Sequence, residues 1–338
     1  MDTDAGLLEG ARNAVQVCMN VGASDRVFIL TDDETLAIAE ALAQEARRLG
    51  AETACMRIEE FGPRPMTRLP EELAQKVTSF SPTVTFYAGT SKANELPLRG
   101  GFAGLAIGQL GARHAHMPSI KPRLMKEGMR VDYHKVHDLT MQVYEIVRHA
   151  QTAHVTSAEG TDLTARFDEK LKWVPCHGLY HEQRTGGNLP EGEVYTSPAW
   201  VEGVFVTRVL GDYFDPKYGI LPHPVHIEIA DGRCVKVSSE QADLAAELEG
   251  YLDSAENGRR VGEFAIGTNT AIKALCGSML QDEKIPGVHI AFGSPLGHET
   301  GAEWTSSIHI DVVSPGATIE LDGKLLMQDG RFILPQGK

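Results

Sequence analysis

"RVFILTDDETLAIAEALAQEARRLG", residues 26–50, decides the class of fold in the first half of the chain. It opens on a short apolar run that ends in acidic residues. From Glu34 the apolar positions recur with a 3.6-residue period, and Gly50 stands where a helix C-cap belongs. A strand passing directly into a helix is the building unit of a parallel α/β sheet. Outward from this stretch the unit repeats. "ETACMRI" (52–58) reads as a strand, a helix is expected near 70–78, and "TVTFYAG" (83–89) reads as the next strand. "LPLRGGFAGLAIGQLG" (96–111) reads as a weak helix, "ARHAHMPSI" (112–120) as strand or loop, and "DYHKVHDLTMQVYEIVRHAQT" (132–152) as a long helix. The glycines of "GGFAGLAIG" match neither GxGxxG nor a phosphate-binding loop, and are assigned to packing or a bend. His114 and His116 lie far in sequence from any carboxylate and read as surface residues.

Beyond residue 152 the texture changes. "HVTSAEGTDLTARF" (154–167) alternates polar and apolar residues, and "EVYTSPAWVEGVFVTRVLGDYF" (193–214) is rich in strand formers. Asp231-Gly232, between two strand patterns, is a type I′ hairpin signal that recurs at Asp322-Gly323 and Asp329-Gly330. Helices are expected only at about 239–256 and 270–280. The fold class expected is therefore an α/β N-terminal domain with a parallel sheet, residues 1–151, followed by a β-rich α+β metal-binding domain, residues 152–338.

The chain has 338 residues and a formal net charge of −14. That balance disfavours nucleic acid and anionic membrane surfaces as partners, since both select for excess Lys and Arg. Five widely spaced cysteines without a CxxC pair read as reduced thiols of a cytoplasmic protein. The first residues show no apolar signal-peptide core, and no stretch is long and apolar enough to span a bilayer.

Four stretches of the second half set an ionisable residue in an apolar or glycine-bounded strand. They are "NLPEGEVYTSP" with Glu193, "RVGEFAIGTN" with Glu263, "PGVHIAFGSP" with His289, and "SSIHIDVV" with His309 and Asp311. In the last, strand alternation points His309 and Asp311 to one side and Ile308, Ile310 and Val312 to the other. Singly, each residue also has a structural reading: a solvated Glu193, a paired edge-strand Glu263, a satisfied core His289. Together, two glutamates, two histidines and an aspartate meet the needs of one or two divalent ions.

The second half resembles the aminopeptidase T (thermophilic, leucyl aminopeptidase-like) family of metallo-exopeptidases. The resemblance rests on "EGTDLTARF", "GGNLPEGEVYTSP", "RRVGEFAIGTN", "MLQDEKIPGVHIAFG" and "HIDVV", in family order over most of residues 155–315. It implies a cytoplasmic homodimeric hydrolase binding two divalent ions (Zn, Co, Mn or Mg) through Glu193, Glu263, His289, His309 and Asp311. A metal-activated water would attack a peptide or small amide carbonyl, with Glu263 able to take its proton. The peptidases carry a tyrosine seven residues after the histidine of "HIAFG", where this chain has Leu296. Losing such an oxyanion donor commonly costs about 2.7–4 kcal/mol. His298, two residues on, is the candidate replacement donor.

A second reading is a mononuclear Fe(II) ring-cleaving enzyme, because the 2,5-dihydroxypyridine 5,6-dioxygenases resemble the same family. Their further histidine falls where this chain has Asn269. A third is a non-catalytic α/β binding protein with a structural metal or none. His177 and His181, just ahead of Glu193, and Trp304 and Asn269 are candidate substrate contacts.

Overall fold

The computed structural model describes residues 5–92 and 94–334. Its contacts divide the chain into two compact units: residues up to 137 with 177–191, and residues 138–176 with those from 192 onward. The first unit thus takes in a segment well beyond residue 151, and the second begins inside the helix Tyr133–Val147.

The first unit holds the parallel sheet expected from residues 26–50. Its strands run in the order Glu52–Arg57, Arg26–Thr31, Val84–Ala88, Arg113–His116 and Gly186–Asn188, and every pairing is parallel. The helices Leu36–Arg48 and Glu71–Phe80 form where the periodicity placed them. Phe28, Leu30, Leu73, Val77, Tyr87 and Phe102 make an apolar core on one side of the sheet. His114 and His116 correct the surface reading. They alternate with Ala115 on an interior strand, His114 is buried, and its Nδ1 lies 2.8 Å from Thr85 Oγ1. Burial lowers the pKa of His114 to about 4.

At the carboxyl end of the strand Arg26–Thr31, buried Asp32 ties this unit together. It accepts hydrogen bonds from Thr35 N (3.0 Å), Thr35 Oγ1 (2.7 Å), Thr90 N (2.6 Å) and Arg64 Nη1 (2.6 Å). Burial would raise the Asp32 pKa, but these donors outweigh it and hold the carboxyl at about 2.

The second unit is β-rich, with an antiparallel sheet of eight strands and another of five. Three hairpins turn at Asp231-Gly232, Asp322-Gly323 and Asp329-Gly330. All six residues have positive φ, as type I′ turns require. The expected helix at 239–256 appears as Ala242–Asp253, burying Leu244, Leu248 and Leu252. The expected helix at 270–280 is reduced to Met279–Asp282. The cause is Asp282, whose carboxylate accepts from the amides of Cys276 (2.8 Å), Gly277 (2.8 Å) and Ser278 (3.2 Å). It thereby stabilises a turn, with Gly277 at φ +74, in place of helix.

The five-stranded sheet runs His309–Pro315, Gly287–Gly293, Val261–Gly267, Glu193–Thr196 and Val174–Cys176. Alternation gives it two unlike faces. Val194, Phe264, Ile266, Val288, Ile290, Phe292, Ile310 and Val312 enter the apolar core shared with Val155, Leu163, Val201 and Ile227 of the larger sheet. A one-residue slip of any strand would expose that set, so the apolar face fixes what the other face presents.

Candidate metal centre

The face opposite the core carries the ionisable residues. Directly paired residues share a face, and the register pairs Glu193 with Gly267, Glu263 with Ala291, Ala291 with Asp311, and Gly293 with His309. His289, two residues from Ala291, joins them. A register irregularity between Val261 and Glu263 is a bulge, of the kind that re-aims a side chain beside a site. Gly267, Ala291 and Gly293 stand opposite Glu193, Glu263, Asp311 and His309, and their small side chains leave room over that part of the sheet for large polar groups.

These side chains form two overlapping trios. Glu193, Glu263 and His289 bring one ligand atom each within 4.8 Å of one another, as do Glu263, His309 and Asp311. Glu263 is common to both. Its Oε1 lies 3.5 Å from His289 Nε2, and its Oε2 lies 3.4 Å from His309 Nε2. His289 Nε2 is also 3.4 Å from Glu193 Oε2, and His309 Nε2 is 3.4 Å from Asp311 Oδ1. Good hydrogen bonds are shorter than this. Two ligand atoms each about 2.1 Å from a tetrahedral ion stand about 3.4 Å apart. The spacings therefore fit atoms arranged around a cation better than atoms bonded to each other.

Electrostatics agree. Glu193, Glu263, Glu283 and Asp311 place four carboxylates against one lysine, Lys284, and two imidazoles. Burial opposes a charged His289, but Glu263, Glu193 and Glu283 outweigh it and push its pKa up to about 9. Burial opposes a charged His309 as well, and Asp311 and Glu263 push it to about 10. A site that drags protons onto both imidazoles is short of positive charge. His309 Nδ1 lies 3.0 Å from the carbonyl of Ser294, which places the proton there and leaves Nε2 as the ligand atom. The donor set of imidazole and carboxylate suits a divalent ion.

The sequence reading missed several neighbours. Lys284 is fully buried, with Nζ 2.8 Å from Glu193 Oε1 and 2.8 Å from Glu283 Oε1. Tyr195, two residues along the strand from Glu193, is buried and donates its hydroxyl to Glu299. Cys176 pairs with Glu193 across the sheet. The signal for Lys284 was a charged residue inside "MLQDEKIPGVHIAFG", where all fifteen residues are buried.

Other expected residues fall elsewhere. His298 has a side chain 75% exposed and paired with Glu299 at 2.9 Å, and it belongs to neither trio. Leu296 is partly buried in the left-handed region at φ 50, before the short helix Gly297–Thr300. Trp304 lies under the Arg260 guanidinium at 3.5 Å. Asn269 is buried, its backbone N–H donating to Lys284 O at 2.9 Å. His177 and His181 belong to the first unit, where His177 meets the His137 ring edge-on and His181 Nε2 lies 2.7 Å from Val17 O.

Residues 132–332 match the model of a family described as thermophilic metalloprotease (M29). No curated protein matches in sequence. Among solved structures, 2,5-dihydroxypyridine dioxygenase from Pseudomonas putida KT2440 is similar at a TM-score of 0.70 and 16% identity, over 97% of each chain. Wild-type AmpT from Thermus thermophilus is similar at 0.69 and 18% identity, over 97% of this chain and 99% of that one. At these identities the likeness is one of fold. No helix among the described residues is long and apolar enough to cross a membrane.

Proposed function

The chain belongs to the thermophilic metalloprotease (M29) family, and from that premise we propose a divalent-metal-dependent hydrolase acting on a peptide or small amide. Glu193, Glu263 and His289 would hold one ion, and Glu263, His309 and Asp311 the other. Zn, Co, Mn and Mg are the candidates. The observation that carries this reading is the shared Glu263, whose two oxygens face different histidines. A pair of ions so held supplies an acidified water and stabilises charge on the attacked carbonyl oxygen.

The chain's own groups do the rest. Glu193, Glu263 and His289 are buried, each on a different strand of a sheet whose other face is core, so the ligand atoms are held before any ion arrives. Glu263 belongs to both trios and is the carboxylate proposed to take the proton of the attacking water. His298 is left out of the proposal, because an exposed imidazole paired with Glu299 is not aimed at the centre. With Leu296 in place of the family tyrosine, peptide bonds are expected to be poor substrates beside activated amides. A homodimer in the cytoplasm, with no nucleic-acid or membrane partner, remains part of the proposal on the family resemblance and the net charge.

One observation favours a second reading. His289 and His309 flank a single carboxylate, Glu263, and two histidines with a carboxylate can also hold one Fe(II). A screen of amino-acyl amides and dipeptides against dihydroxylated aromatics, each with Zn, Co, Mn, Mg or Fe(II), separates the two. Amide hydrolysis with any of the first four supports the hydrolase, and oxygen-dependent ring cleavage with Fe(II) alone overturns it.

A further inference from the structure

Lys284 is a fully buried cation in contact with one proposed ligand, and the proposed chemistry does not use it. We infer that Lys284 makes the two halves of the centre unequal, so that an ion at His309 and Asp311 binds more tightly than one at Glu193 and His289. The inference rests on the two-ion reading above.

The placement is built, not incidental. Gly267 stands opposite Glu193 in the sheet, and a Cβ there would come within 2.0 Å of the Ile285 carbonyl oxygen. Glycine thus lets the turn Lys284–Ile285 lie directly over the strand beside Glu193. The Lys284 backbone is fixed at both ends, its N–H donating to Gln281 O at 3.0 Å and its carbonyl accepting from Asn269 N at 2.9 Å. From there Nζ reaches Glu193 Oε1 and Glu283 Oε1, each at 2.8 Å.

Two consequences follow for Glu193. One oxygen is committed to an ammonium, so only Oε2, on the His289 side, is presented to the trio. The charge of that carboxylate is also already partly compensated. An ion at Glu193 and His289 would sit beside a fixed positive charge in a buried setting, where repulsion is weakly screened. Neither His309 nor Asp311 contacts a lysine or arginine among the described ion pairs; the partners of His309 are carboxylates. The Lys284 charge also reaches Asp311 through space, but its Nζ touches only Glu193 among the proposed ligands, so it competes directly at that half and acts on the other only at longer range.

The test is a Co²⁺ titration of the full-length, chelator-stripped protein, followed by visible absorption and by metal analysis after desalting. Wild type is expected to fill in two steps separated by about tenfold or more in affinity. Asp311→Asn should remove the tighter step and Glu193→Gln the weaker. Lys284→Met should tighten the weaker step by about tenfold while moving the other less than about threefold. Lys284→Arg, which keeps the charge, should restore the wild-type separation. Equal steps in wild type, loss of the weaker step in Asp311→Asn, or an unmoved weaker step in folded Lys284→Met overturns the inference while leaving the two-ion centre standing. Wild type that takes up no Co²⁺ overturns the centre itself, and this inference with it. Where Lys284→Met does not fold, the assignment of steps by Glu193→Gln and Asp311→Asn decides.

Discussion

Glu263 Oε2 faces His309 Nε2 across 3.4 Å from an adjoining part of the same sheet face, although the two residues are 46 positions apart in sequence. The gap is too long for a strong hydrogen bond and suits two ligands of one ion. His309 is held for that role by the Ser294 carbonyl at its other nitrogen.

Asp311→Ala removes the only ligand in that trio that neither bridges nor belongs to a histidine. Affinity for one ion should fall by more than about 100-fold, and hydrolysis with it. Far-UV circular dichroism should be unchanged, because Ile310 and Val312 on the other face still fill the core.

Gly267→Ala tests how closely the turn at Lys284 approaches the strand. A methyl group would meet Ile285 O at 2.0 Å and Lys284 C at 2.8 Å. The melting temperature should drop, with a stability loss of about 1–3 kcal/mol or more, and metal uptake should be impaired. Gly250→Ala is the control: it lies exposed on the helix Ala242–Asp253 with open space around it, and should stabilise by about 0.5–1 kcal/mol.

Asp32 gives the first unit a defined acid response. Its folded pKa of about 2 is below the ordinary carboxylate value, so its donors stabilise the ionised, folded form. That contribution is complete above the unfolded pKa, near about 4, and is lost as pH falls from there through about 2. The melting-temperature difference between wild type and Asp32→Asn should be largest at neutral pH and shrink over that window.

Leu296→Tyr restores the side chain the family resemblance expects near the site. Hydrolysis of an amino-acyl amide should rise by about tenfold or more, seen in kcat rather than KM. No rise would assign the hydroxyl's role elsewhere, Tyr195 being a buried candidate on the same sheet face.

Much of this was legible in the chain. The strand and helix of residues 26–50, the three Asp-Gly hairpins and the alternation in "SSIHIDVV" each have a local physical signature, and each appears as read. Gly186–Asn188 was not legible as the fifth parallel strand, since a three-residue run with two glycines has no strand pattern of its own. The helix expected at 270–280 failed because periodicity says nothing about Asp282 capturing three amides. His114 read as surface because its burial depends on strands that pair with it from elsewhere. Lys284 was hidden for the same reason: its partner Glu193 lies 91 residues away.

Bound metal per chain, measured in wild type, Glu193→Gln and Glu263→Gln purified without chelator, tests the shared carboxylate most directly. The account predicts two divalent ions in wild type, one in Glu193→Gln, and loss of both, or a large drop in both affinities, in Glu263→Gln. Full occupancy in Glu263→Gln, or no metal in wild type, would contradict it.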